Sequence, residues 1–287
     1  MLIWLLRLYA RIPLPLVHLI GVLVGWGMYL GSRKYAARMR ANLRRSGLVP
    51  ENDAFAKLLR RSIAEAGKAT LETFVIWFRP YPKVLELVRE CRGWEHVESS
   101  LAAGNGIIFL TPHLGCFEIT SLYYAQHHPL GVLYRPPRQP WLAPLIESGR
   151  ERGQIKLAPT TLKGVRGLLQ TLRHGQAIGI LPDQVPSTGE GEWADFFGHP
   201  AYTMTLVSKL AKTSGAKILM AFGERLPYGR GYIFHIEPVP ADGVSSVSAL
   251  NATIEAAVRR QPEQYLWSYQ RYKVPRGVPK PPVTSES

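Results

Sequence analysis

The sequence predicts an α/β fold: a mostly parallel central sheet flanked by helices, preceded by an N-terminal apolar helix. Two observations carry the prediction. Short β-branched runs alternate with stretches of helical apolar spacing between Leu101 and Arg260, the order that βαβ units impose. Residues 12–30 form an almost wholly apolar block, about the length that crosses a hydrocarbon core. At 287 residues and 46% hydrophobic, the chain can bury a sizeable core.

Taken in order, Ile12 to Leu30 carries Pro13, Pro15, His18 and three glycines. These weaken a simple spanning helix and leave both a crossing and an in-plane orientation open. The block lacks a small-residue cleavage site, so it is expected to be retained. Leu58, Leu59, Ile63, Ala66 and Leu71 recur at helical intervals between Asp53 and Phe78, and Pro80 and Pro82 stop that run. Gly106-Ile-Ile-Phe-Leu-Thr111 reads as a buried strand, with the apolar pattern reaching back to Leu101, and Pro112 ends it. A helix is expected from Gly115 to Gln126. Further strands are expected at Gly131–Tyr134, Gln176–Pro182, Ala216–Ala221 and Gly231–Glu237, the last as an edge strand. Helices are expected at Leu142–Arg152, Gly164–Arg173, Thr203–Ser214 and Val244–Arg260. The chain accordingly divides into 1–45 as anchor and basic belt, 46–274 as the α/β domain and 275–287 as a Pro-rich tail.

Charge narrows the partners. Lys and Arg number 35 against 21 acidic residues, a formal net charge of +14, which suits a polyanion: nucleic acid, anionic lipid or a phosphorylated substrate. Arg33, Lys34, Arg38, Arg40, Arg44 and Arg45 succeed the apolar block with no acidic residue before Glu51. A basic belt there favours an anionic membrane leaflet over nucleic acid and places the rest of the chain in the cytoplasm. Cys91 and Cys116 make no metal-ligand pattern, so no metal or other cofactor is expected.

The chemistry-bearing residues gather where strands end, the usual ligand side of such a sheet. His113 and Glu118 come after the strand at 106–111 with four residues between them. On one continuous helix that separation would turn the two side chains roughly 140° apart, whereas a strand–loop–helix turn lets them meet. The carboxylate would then fix the imidazole tautomer and leave the other ring nitrogen to take a proton. A helix cap and a helix-dipole partner fit the same pair. Arg135 and Arg138 lie on the loop Tyr134-Arg-Pro-Pro-Arg138, with Arg150 and Arg152 further along the chain. All four are candidates for phosphate contact or for surface pairing with Glu147 and Glu151. Asp183, followed by Gln184, stands at another strand end, able to serve a site or to hold an arginine. Trp193, Phe196 and Phe197 fit an apolar groove or simply core.

Four segments together resemble the bacterial lipid A late acyltransferases, the lauroyl and myristoyl transferase group within the glycerolipid acyltransferase superfamily. They are His113 to Glu118, Tyr134 to Arg138, Asp183-Gln184 followed by Phe196-Phe-Gly198, and Pro262-Glu-Gln-Tyr-Leu-Trp-Ser-Tyr-Gln-Arg-Tyr-Lys273. The last is the most specific. The His-four-Glu motif is shared across the superfamily, and the transferases that acylate phosphatidylinositol mannosides carry much of the pattern. Val185 stands where the group often has an acidic residue. The resemblance implies acyl transfer at the cytoplasmic face of a bacterial inner membrane. An acyl carrier protein thioester is the donor, a phosphorylated glycolipid is the acceptor, and no cofactor takes part. It implies His113 as general base oriented by Glu118, acting on a 3-hydroxyl of a lipid-linked hydroxyacyl chain. Arg150 would contact phosphate or oxyanion with Asp183 holding it, backbone N–H groups at the start of the 115–126 helix could also bind the oxyanion, and Arg135, Arg138 and Gln184 would contact substrate. Acylation of another glycolipid or a lysophospholipid, and a non-enzymatic basic binding role, are the competing readings.

Overall fold

Along the strand Ile107–Leu110 every residue is buried, and successive side chains enter different cores. Ile107 and Phe109 pack on one side of a sheet, Ile108 and Leu110 on the other, as the two-residue strand period requires. The computed structural model describes residues 2–137 and 139–281 and has the expected α/β architecture.

From the N-terminus, α1 (Leu2–Tyr9) leads through Pro13 into α2 (Leu14–Gly31), α3 (Arg33–Arg45), α4 (Asp53–Phe78) and the short α5 (Tyr81–Leu85). Then come β1 (Val88–Arg92), α6 (Trp94–Ala102), β2 (Ile107–Leu110), α7 (Phe117–Tyr124), β3 (Leu130–Tyr134), α8 (Ala143–Arg150), β4 (Ile155–Pro159), α9 (Leu162–Arg173) and β5 (Ala177–Ile180). The hairpin β6 (Gly191–Phe196) and β7 (His199–Met204), α10 (Leu206–Ser214), β8 (Lys217–Arg225), β9 (Tyr232–Pro238) and α11 (Val247–Arg260) complete the order. Among the described residues the main sheet runs β1-β9-β8-β2-β5-β3-β4, and only the β8–β9 pair is antiparallel.

Several expected boundaries move. Leu101 belongs to α6, not to β2, because Gly104 and Gly106 adopt positive φ between them. The helix expected from Thr203 starts at Leu206, since Thr203 pairs with Glu192 in the hairpin. The strand Tyr232–Pro238 is not an edge, because β1 covers it. β1 and β4 lie at the sheet margins with mostly part-exposed, polar or irregular sequences, which is why period-two hydrophobicity does not reveal them. Within the Pro-rich tail, residues 282–287 lie outside the described residues.

The long helix α4 begins where the Asn52 side chain accepts from the Ala54 N–H at 2.8 Å, and it supports both α2 and the sheet. Its Glu72 is buried and lies at a four-way junction. Arg225, at the end of β8, donates to both Glu72 oxygens at 2.8 and 2.6 Å, Tyr232 donates at 2.9 Å, and His18 of α2 lies 2.9 Å away. Burial opposes ionisation of Glu72, but the Arg225 guanidinium and the His18 contact outweigh it and hold the carboxyl well below its usual range. Removing the charge strands Arg225 in the interior, so Glu72→Gln is expected to cost about 3–5 kcal/mol in urea unfolding at neutral pH. A group with a depressed folded pKa stabilises above its unfolded value and loses that contribution in acid. The gap between wild type and variant should therefore narrow as pH falls below about 4.

Candidate active site

Strand register assembles the site. In the parallel pair β2–β5, Leu110 stands opposite Ile180, and Thr111 N–H donates to the Ile180 carbonyl at 2.9 Å. Each strand then meets a proline, Pro112 or Pro182, that stops the ladder. The next residues are His113 and Asp183. They emerge side by side, with His113 Nδ1 2.8 Å from Asp183 Oδ1 and the His113 backbone N–H donating to Oδ2 at 2.9 Å. Gln184 Nε2 donates to His113 Nε2 at 3.0 Å, and the imidazole rests against Phe117, ring centres 4.6 Å apart.

This geometry corrects the expected division of roles. Among the described residues Glu118 makes no hydrogen bond to His113; its carboxylate faces Arg150, the last residue of α8. Arg150 Nε donates to both Glu118 oxygens at 3.1 and 3.0 Å, and Nη2 also donates to Oε1. Asp183 does not hold Arg150 either. The physical reason is direction: Glu118 sits in the first turn of α7 facing α8, while Asp183 arrives along the strand adjacent to the one that carries His113.

Electrostatics fit the pairing. Asp183 is 2% exposed. Burial raises the cost of its charge, yet attraction and hydrogen bonds from His113 hold the carboxyl below its usual value. With Asp183 ionised, Nδ1 carries the proton it donates, and Nε2 presents a lone pair. Burial disfavours the Arg150 cation, but Glu118 reverses that and raises its pKa. Arg150 also lies 5.6 Å over the Trp77 ring at the C-terminal end of α4. Because only a guanidinium makes this forked contact, Arg150→Lys is expected to lower kcat/KM about ten- to hundredfold, read by initial-rate kinetics at matched thermal stability.

The remaining candidates divide. Arg135 donates through Nη2 to Ser187 Oγ at 2.6 Å, bridging the loops after β3 and β5 on the exposed side of the site. Arg138 lies outside the described residues. Arg152 is spent on the Ile76, Trp77 and Arg79 carbonyls, capping α4, and Phe196 and Phe197 are core. Of the N–H groups expected to face an oxyanion, those of Gly115 and Cys116 already donate to Gln264 and Gly223 carbonyls. Those of Phe117 and Glu118 have no acceptor among the described residues.

A narrow cleft opens beside Thr111, Phe117, Glu118, Arg150 and Leu181. Beneath α7 a second, narrower recess reaches Phe109, Tyr124 and Phe234. The two share Thr111, Thr120, Ser121 and Gly179 in their walls.

Residues 262–269 supply positioning groups to which the sequence assigns no role. Leu266 N–H donates to the His113 carbonyl at 3.0 Å, and the Gln264 carbonyl accepts from Gly115 at 3.0 Å. Tyr269 Oη accepts from the Val185 N–H at 2.9 Å, so one segment braces the loops that carry His113 and Asp183 from behind. Its signal is the specificity of the Pro262–Lys273 pattern, which marks the segment without indicating its role.

Residues 1–274 match the family model of bacterial lipid A biosynthesis acyltransferases. The chain is 26% identical to the lipid A biosynthesis lauroyltransferase of Escherichia coli K12, over 96% of this chain and 91% of that protein. It is 25% identical to the palmitoleoyltransferase of the same organism, covering 93% and 88%. With the myristoyltransferase of that organism the identity is 23%, covering 86% and 78%.

Proposed function

Because this chain belongs to the bacterial lipid A biosynthesis acyltransferase family, and is thereby an acyltransferase, we propose that it moves a fatty acyl chain from an acyl carrier protein thioester onto a hydroxyl of a lipid A precursor. The observation that carries the mechanism is the His113–Asp183 contact at 2.8 Å, with Nε2 on the opposite side of the ring.

Asp183 fixes the imidazole with its proton on Nδ1, and Nε2 accepts the proton of the acceptor hydroxyl. The hydroxyl takes the place of the Gln184 amide at Nε2 and attacks the thioester carbonyl. The tetrahedral intermediate collapses, the carbon–sulfur bond breaks, and the imidazolium returns its proton to the carrier thiolate. The products are an ester and a free thiol. Arg150, aligned by Glu118, and the first-turn N–H groups of α7 stabilise the oxyanion. Arg135 contacts the phosphorylated acceptor, and the basic surface suits the acidic carrier protein. The apolar N-terminal helix holds the enzyme at the cytoplasmic face of the inner membrane.

The cavity beneath α7 receives the acyl chain in this reading. A Cβ on Gly179 would meet only Val132, at 3.7 Å, so a side chain there enters the space shared by the two cavities. Gly179→Leu should shift donor preference toward acyl chains shorter by two or more carbons, as a competition assay with mixed carrier thioesters would show.

The function itself is tested with the purified full-length protein in bilayers, supplied with carrier thioesters and tetra-acylated lipid A precursor. Ester formation on that acceptor is expected. Acylation only of a lysophospholipid or mannolipid would overturn the assignment.

A further inference from the structure

We infer that α2 lies in the plane of the membrane surface and does not cross the bilayer, with α1 and the β8–β9 turn touching the same anionic leaflet. This rests on the membrane attachment proposed above and specifies its geometry.

Helix α2 has two opposite apolar stripes. Leu14, Val17, His18, Gly21, Gly25 and Tyr29 are buried, at the 3–4-residue spacing of one helix face. Leu16, Leu19, Ile20, Leu23 and Leu30 occupy the other and are 43–74% exposed. The inner stripe is fixed to α4 along its length. A Cβ on Gly21 would stand 2.7 Å from Lys68 Cα, one on Gly25 would collide with the Ile63 carbonyl oxygen, and one on Gly67 with the Gly21 carbonyl oxygen. His18 meets the buried Glu72. The partner helix is charged: Lys57, Arg60 and Arg61 are exposed, and Lys68 pairs with Glu65.

A crossing α2 would carry these groups into hydrocarbon, where each central charge costs several kcal/mol, or would have to leave α4 and strand Glu72. Lying flat avoids both, with the outer stripe in the acyl boundary and α4 behind it.

Two other elements extend the same face. Ile3, Trp4, Leu5 and Leu8 of α1 are 46–65% exposed. Tyr228, on the β8–β9 turn, is 86% exposed, and the neighbouring Gly229 abuts Pro15 at the start of α2. Tyr228 holds φ at +58°, a backbone state uncommon for an aromatic residue, and the tyrosine ring suits the headgroup level. Exposed Arg7, Arg11, Arg33 and Lys34 flank the apolar face, so the complementary surface is anionic lipid.

The test uses full-length protein with vesicles of phosphatidylethanolamine and phosphatidylglycerol. Single nitroxide-labelled cysteines replace Leu16, Leu23 or Leu30 in a Cys91→Ser background; the other cysteine, Cys116, is buried. All three labels should lie at one shallow depth, roughly 5–10 Å below the phosphates. A Leu23 label near the bilayer centre, with the other two near opposite surfaces, would overturn the inference. So would labels shielded from lipid by a second copy of the chain. Failure to sediment with vesicles at all would instead refute membrane attachment. Tyr228→Asn, which tolerates the left-handed backbone, should weaken vesicle affinity roughly five- to tenfold with unchanged melting temperature. Wild-type affinity in that variant would remove the turn from the contact surface.

Discussion

His113→Ala is expected to reduce turnover by at least about 10³-fold, with membrane association intact. In the proposed reaction the imidazole is the sole base at the acceptor hydroxyl and also the acid that returns the proton to the leaving thiolate, so one substitution removes two proton transfers. Alanine also leaves Asp183 as a buried carboxylate without its main partner, which costs stability. His113→Gln separates the effects, because its amide can still donate toward Asp183 while it cannot serve as a base. Single-turnover transfer from a labelled carrier thioester measures the chemical step. Turnover within tenfold of wild type in a folded His113→Gln protein would refute His113 as the base.

Asp183→Asn is expected to lower kcat by about 10²–10⁴-fold with little change in KM. The amide presents a donor where Nδ1–H needs an acceptor, which favours the tautomer with its proton on Nε2 and disables the base. Asp183 stands behind the ring and is 2% exposed, so substrate binding should scarcely register the change. Because its carboxyl is held below the usual value, Asp183 stays ionised through the acid limb of the rate profile and does not titrate there. Glu118→Gln should behave differently. It acts through Arg150, so its loss should fall on oxyanion or phosphate contact and appear partly in KM. If Glu118→Gln reproduced the kcat-only loss and Asp183→Asn were silent, the two carboxylates would have to exchange roles.

Legibility in the sequence depends on range. The central strands at 107–110, 130–134 and 177–180 announce themselves because buried parallel strands are nearly continuous apolar runs. The margins β1 and β4 do not, since their burial depends on neighbours. Glu118 reads as the partner of His113 because it is the nearest carboxylate in sequence, and a hydrogen-bond partner need not be near in sequence. A clue is present: Leu110-Thr-Pro-His113 and Ile180-Leu-Pro-Asp183 both place a proline and then a polar group after an apolar strand. Arg152 reads as a phosphate contact or as a surface partner of Glu147 and Glu151 and instead caps α4, because a guanidinium's donors go to whichever carbonyls packing brings near.

The sequence by itself determined the α/β class, the apolar N-terminal segment with its basic flank, and the residue types gathered at strand ends, because these are set by local periodicity and composition. Only the tertiary structure decided which carboxylate meets His113. The in-register pairing of β2 with β5 brings two residues 70 positions apart within 2.8 Å, and sheet register is a property of strands packed together.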